Sequence, residues 1–169
     1  DDDPASTTII CYAPVVDKDG AGAYDERHEW DVDKTVDPVT QNAFAGEQVS
    51  YEWTVTVQES VFEENFAVSG FIYVTNPHPT LDMVVGLSDA LSDSTAGVIG
   101  ECTNGTYNDV DGTLTIPPDS TATCAYSASL TYDDVANAPT TNTVTVTLNG
   151  LSVSDDATIA YTSSVIRGS

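Results

Sequence analysis

Residues 49–58 alternate without a break: Val49, Tyr51, Trp53, Val55 and Val57 stand against Ser50, Glu52, Thr54, Thr56 and Gln58. Successive side chains of an extended chain point to opposite faces, so this run fits a strand with one face on a core and one in water. The pattern recurs along the chain. Trp30, Val32, Lys34 and Val36 alternate with Asp31, Asp33 and Thr35, while Val68, Ile72 and Val74 share a face opposite Phe71 and Tyr73. Ala122, Cys124, Tyr126, Ala128, Leu130 and Tyr132 share another, and Asn142, Val144, Val146 and Leu148 face away from a row of threonines. Asn149-Gly150 is a two-residue hairpin signal, after which Val153, Ala157, Ile159 and Tyr161 face inward on a return strand ending near Ser163. Prolines at 38, 77, 79, 117 and 118 separate the runs. Residues 81–91 form a weaker apolar run, and residues 92–112 are small and polar. The 23 Thr and 20 Val against 7 Leu suit pleated surfaces. Short, evenly spaced strands without an amphipathic helix predict an all-β sandwich.

Charge and cysteine content narrow the function classes. The formal net charge is −23 across 169 residues, which disfavours nucleic acid and anionic membrane surfaces as partners. No apolar run approaches the ~18 residues of a membrane span, so membrane insertion is not expected. The opening Asp1-Asp2-Asp3-Pro4 reads as a mature, processed end. Cys102 and Cys124, 22 residues apart, are candidates for a disulfide in an oxidising compartment. Cys11 is left over, either a buried thiol or an intermolecular partner.

Residues 5–16 are apolar on both faces of an extended chain: Ile9, Cys11, Ala13 and Val15 on one, Ile10, Tyr12, Pro14 and Val16 on the other. Such a strand wants burial on both sides. Residues 17–28 are glycine-rich and charged and read as a linker. The expected organisation is an N-terminal arm and linker at 1–28, a sandwich at 29–162 and a tail at 163–169. The expected core comprises Trp30, Val32, Val49, Tyr51, Trp53, Val55, Val68, Ile72, Val74, Tyr126, Leu130, Val144, Val146 and Ile159.

Five segments then occur in order: Trp-Asp-Val-Asp-Lys-Thr-Val-Asp-Pro at 30–38, Gly-Glu-Gln-Val-Ser-Tyr-Glu-Trp-Thr-Val-Thr-Val at 46–57, Ala-Val-Ser-Gly-Phe-Ile-Tyr-Val-Thr-Asn-Pro-His-Pro at 67–79, Cys-Ala-Tyr-Ser-Ala-Ser-Leu at 124–130 and Thr-Asn-Thr-Val-Thr-Val at 141–146. This set resembles the Ig-like or prealbumin-like β-sandwich modules of repetitive bacterial and archaeal surface proteins. The resemblance covers about residues 29–162. It implies an Ig-like antiparallel sandwich, an extracellular or cell-surface location, and a structural or adhesive role without catalysis.

Adhesin and pilin modules of that class also join a first-strand lysine to a late-strand asparagine through an isopeptide bond, helped by a buried carboxylate. Here the resemblance singles out Lys34, Asn142 and Glu59, since Lys34 and Asn142 lie on inward parities and Glu59 continues that of Val55 and Val57. The competing reading is a Lys34 that snorkels to the sheet edge or pairs with a carboxylate.

No nucleophile-and-base arrangement, phosphate loop or dinucleotide fingerprint is present, and the two histidines, His28 and His78, lack partners of that kind. An enzyme is not expected, and no cofactor is required. Calcium is the one candidate ion, at the oxygen-rich turns holding Asp17 and Asp19, and Asn108, Asp109 and Asp111. Turns that cap hairpins are the alternative. Asn104-Gly105-Thr106 is an N-glycosylation sequon. Phe71 and Tyr73 suggest an outward contact patch.

The function expected from this reading is a structural subunit of an extracellular filament. The subunit donates its N-terminal strand to the next copy through Ile9, Ile10, Cys11, Tyr12, Val15 and Val16. A head-to-tail contact of this kind does not close, so it builds a fibre of copies of the chain. The alternatives are an arm folded back on its own body, and a module of a larger adhesin that binds a cell-surface or carbohydrate ligand.

Overall fold

The computed structural model describes residues 7–167. Residues 1–6 of the expected arm and 168–169 of the expected tail lie outside that range. The strands in chain order are β1 (Val15–Lys18), β2 (Ala21–Asp37), β3 (Glu52–Asn76), β4 (Met83–Leu91), β5 (Val98–Thr103), β6 (Thr106–Asn108), β7 (Thr113–Ile116), β8 (Ser120–Ser129), β9 (Thr141–Leu148), β10 (Leu151–Thr158) and β11 (Tyr161–Arg167). They build a six-stranded sheet ordered β11-β2-β3-β8-β5, with β1 also on β3, and a five-stranded sheet ordered β10-β9-β4-β7-β6. The all-β sandwich expected from strand spacing is the fold. All ladders are antiparallel except β11 on β2, which runs parallel.

The core lies between the sheets and is made by alternation. Val68, Ile72 and Val74 of β3, with Ala122, Cys124, Tyr126 and Ala128 of β8, face Met83, Val85, Leu87 and Leu91 of β4 and Val144 and Val146 of β9. Leu130 and Ile159 are also buried. The Asn149-Gly150 turn joins β9 to β10 with φ of 51° and 83°, the left-handed pair that a tight hairpin requires. After Ile159 the chain crosses to the other sheet, so the expected single return strand is two, β10 and β11. Cys102 and Cys124 are paired across β5 and β8 and form the disulfide. β5 and β6 arise in the stretch 92–112, read as small and polar, because each needs only a partner edge and few apolar residues.

The expected boundary at 28/29 falls inside a strand. Residues 17–28, read as a linker, complete β1 and form the first half of β2. Glycine is used there for close approach rather than flexibility: a Cβ on Gly20 would lie 2.3 Å from the Tyr126 hydroxyl. Likewise residues 163–167, read as tail, belong to β11.

The largest correction concerns the expected core. β2 and β3 continue past the sandwich as a two-stranded ribbon, with His28 opposite Val61 and Asp37 opposite Glu52. Trp30, Val32, Tyr51, Trp53 and Val55 lie on or beside this ribbon and are exposed, as is Val49 in the connecting loop. Trp30, Val32, Trp53 and Val55 alternate within strands as expected, whereas Val49 and Tyr51, expected in the same strand, precede β3, which begins at Glu52. No opposing sheet reaches them, so alternation did not mean burial.

Candidate functional site

Two arrangements stand out: a polar cluster sealed between the sheets, and the uncovered face of the ribbon.

The cluster draws one side chain from each of three strands. β1 alternates Val15 and Asp17 outward with Val16 and Lys18 inward, which drives the Lys18 ammonium between the sheets. On β4 the inward row Met83, Val85, Leu87, Asp89, Leu91 contains one carboxylate. On β9 the inward row Asn142, Val144, Val146 contains one carboxamide. Lys18, Asp89 and Asn142 are all buried. Lys18 Nζ donates to Asp89 Oδ1 at 2.7 Å, and both side chains are fully shielded from solvent. Asn142 Nδ2 donates to Asp89 Oδ2 at 3.1 Å. One carboxylate thus bridges an amine and a carboxamide. Among the described residues, Asn142 Oδ1 has no hydrogen-bond partner.

The surroundings reinforce this. The Lys18 Nζ sits 3.2 Å from the centroid of the Tyr126 ring, a contact that favours a cation on its π face. Burial pushes the Lys18 ammonium down from the ordinary lysine range, opposed by the hydrogen bond and charge of Asp89. Burial pushes the Tyr126 phenol up to about 12, so it keeps its proton and donates to the Asp19 carbonyl at 2.8 Å. Gly97 keeps room for the carboxylate: a Cβ there would fall 2.0 Å from Asp89 Oδ2.

The ribbon face follows from register. Val32 pairs with Val57, Lys34 with Val55 and Val36 with Trp53, so these six share one face with Trp30 and Glu59. The other face carries Asp31, Asp33, Asp37 and Glu52 among threonines. Trp30 is 60 % exposed and Trp53 59 %. By alternation Trp30 and Val32 continue the parity of Gly22 and Tyr24, which line the inside of the sandwich. The ribbon face is therefore the core face of one sheet, extended beyond the end of the other. Among the described residues neither ribbon edge has a neighbouring strand: β11 pairs with β2 as far as Arg167–His28, and β8 meets β3 from Ala67 onward.

The expected site residues fall as follows. Lys34 is on the ribbon, 4.4 Å from the centroid of the Trp53 ring, and Glu59 contacts His28 Nδ1 at 2.6 Å. Neither approaches Asn142, so the expected trio of Lys34, Asn142 and Glu59 is overturned; the lysine beside Asn142 is Lys18. The missed signals were local ones: Asp89 occupies the apolar parity of β4, and Lys18 the parity of Val16. Val15 and Val16 pair with Thr75 and Val74 of the same chain, so this part of the expected donor strand is a strand of its own sheet. Residues 7–14 form no strand; Ile9 is 81 % and Ile10 68 % exposed, Cys11 is an exposed free thiol, and Tyr12 packs against His78.

Asp19 accepts from Phe71 N and from the Tyr73 hydroxyl, pinning the step from β1 to β2. Asp17 is on the outer face of β1. Asn108 bonds Asp111 and Val110 N in a local turn that also contains Asp109. Among the described residues no three carboxylate, histidine or cysteine groups gather as a metal cluster. Asn104 is exposed in the β5–β6 turn, and Phe71 is exposed on the outer face of β3. Among the described residues, no helix is long and apolar enough to cross a membrane. The class these features define is a disulfide-bonded β-sandwich with a projecting amphipathic ribbon. No family model matches the chain, and no curated protein or solved structure matches it.

Proposed function

We propose that this chain is a structural subunit of an extracellular filament, joined to further copies of itself through β surfaces that a single copy leaves open. The observation that carries this reading is the ribbon. It presents Trp30, Val32, Val36, Trp53, Val55 and Val57 on one face, with both edges unpaired among the described residues. A two-stranded ribbon is marginal by itself in water. An edge with unpaired N–H and C=O groups is a template for another strand. Residues 7–14, with Ile9 and Ile10 exposed and no strand partner among the described residues, are the natural donor to that edge in the next copy. Such a contact is head-to-tail and propagates. The Cys102–Cys124 disulfide supports an oxidising, extracellular setting.

The test is light scattering and negative-stain electron microscopy of the full chain at physiological salt, beside a variant lacking residues 1–14. Fibres from the full chain and isolated particles from the variant are expected. Isolated particles from both, at high concentration, overturn the filament reading and favour a ligand-binding module of a larger adhesin. Fibres from both remove the arm as connector and leave the ribbon.

A further inference from the structure

We infer that Lys18 and Asn142 are joined by an amide bond between Lys18 Nζ and Asn142 Cγ, formed within the folded chain with Asp89 carrying the proton and ammonia leaving. Three observations place the reactants. The amine and the carboxamide each hydrogen-bond a different oxygen of one carboxylate, at 2.7 and 3.1 Å. The three side chains are buried between the sheets. The carbonyl oxygen of the carboxamide is unpartnered among the described residues.

The step balances with no outside reagent. Asp89 takes one proton from the Lys18 ammonium, leaving a neutral amine. The amine lone pair attacks Asn142 Cγ, and the Nζ–Cγ bond forms. Asp89 delivers its proton to Nδ2 as the Cγ–Nδ2 bond breaks, and it takes up the second proton that the attacking nitrogen sheds. The products are a secondary amide, a neutral Asp89 carboxyl group and ammonia. Holding amine and carboxamide on one carboxylate in a dry site replaces a bimolecular encounter by an intramolecular one. The driving force is the removal of charge from the core. Before the step an ammonium and a carboxylate are both shielded from water, which is costly even when paired. Afterwards no charge remains there, and the Asp89 carboxyl proton has the formerly unpartnered oxygen as acceptor within the same cluster.

The bond ties β1 of one sheet to β9 of the other. β1 is only four residues long and carries the N-terminal segment, so hydrogen bonds alone hold it weakly against a pull. The inference stands on the geometry of a single copy and does not depend on filament assembly.

Intact mass spectrometry of the full chain, followed by peptide mapping, tests it. The expected mass is that of the sequence less the disulfide hydrogens and less one ammonia. The expected map has a branched peptide containing residues 18 and 142 and no tryptic cleavage after Lys18. A mass without the ammonia loss, or cleavage after Lys18, overturns the bond. So does an ammonia loss that maps elsewhere, such as a cyclised Asn149-Gly150. Asp89→Asn is expected to restore the full mass; a branched peptide persisting in that variant removes Asp89 as the proton carrier. The wild-type map decides the bond even where that variant does not fold.

Discussion

Asn65 donates its side-chain amide to the Asp25 carboxylate at 2.9 Å, at the one place where β2 and β3 slip out of register. Between Ala23 and Asp25 a single residue, Tyr24, faces two on β3, Asn65 and Phe66. Asn65 takes φ 58°, and the Phe66 ring stacks on Tyr24 with centroids 5.0 Å apart. Such a bulge switches the inward parity of β3. Odd residues face with Trp53 in the ribbon, and even residues face with Val68 in the sandwich. One strand thereby serves both bodies.

A β-branched side chain at position 65 would oppose the left-handed backbone. Asn65→Val is expected to cost about 1–2 kcal/mol, while Asn65→Gly stays within about 0.5 kcal/mol of wild type. Urea unfolding followed by circular dichroism measures both. Equal stability of the two variants would mean that backbone conformation at 65 does not govern the bulge.

The ribbon's apolar face is expected to matter to association and not to folding. Trp53→Ser combined with Val55→Thr should leave the unfolding midpoint nearly unchanged, because exposed substitutions shift stability by about 0.5 kcal/mol or less. It should abolish or strongly weaken self-association in sedimentation velocity. In contrast, Ile72→Ala in the core should cost about 2–5 kcal/mol. A destabilisation of the ribbon variant comparable to Ile72→Ala would place its face against the body.

Association of copies that each carry −23 charges must overcome mutual repulsion. Screening reaches about 30 Å at 10 mM salt but only about 8 Å at physiological salt. Assemblies are therefore expected to form at physiological or higher salt and to dissociate on dialysis into dilute buffer, as read by light scattering. Assembly that strengthens as salt falls would contradict an apolar contact between like-charged subunits.

Gly97→Ala would drive a methyl group into the Asp89 carboxylate. Overpacking of this kind costs about 1–3 kcal/mol. The expected result is a lower melting temperature and a larger share of chains that keep the full mass, without the ammonia loss, in intact mass spectrometry. Wild-type values of both would show that the carboxylate has room to move.

Reducing the Cys102–Cys124 bond opens a loop spanning 22 residues. The chain-entropy account predicts a loss of roughly 3 kcal/mol. The melting temperature should fall by roughly 6–12 °C for a domain of this size. Calorimetry with and without reductant measures it, and an unchanged transition would mean that the reduced, unfolded chain is already compact.

The strands themselves were legible. Val144, Val146 and Leu148 against threonines, and Ala122 to Leu130 on one face, locate β9 and β8 because sidedness in an extended chain is a local property of the backbone. Asn149-Gly150 located its turn for the same reason: left-handed φ at two successive residues is a demand those residue types meet locally. Coverage was not legible. Trp30 and Trp53 alternate as well as Val144 and Val146 do, yet one pair of rows is exposed and the other buried. The difference lies in whether a second sheet extends over them, and no local pattern carries that. Lys18 shows the same division. Its inward parity beside Val16 is in the sequence, but its neighbours Asp89 and Asn142 lie 71 and 124 positions away and meet it only through the stacking of two sheets. The sequence by itself determined which residues are extended and which share a face, since those depend on bonds between neighbours. Tertiary structure alone decided which faces are buried and which distant side chains meet, since burial is settled by contacts between strands remote along the chain.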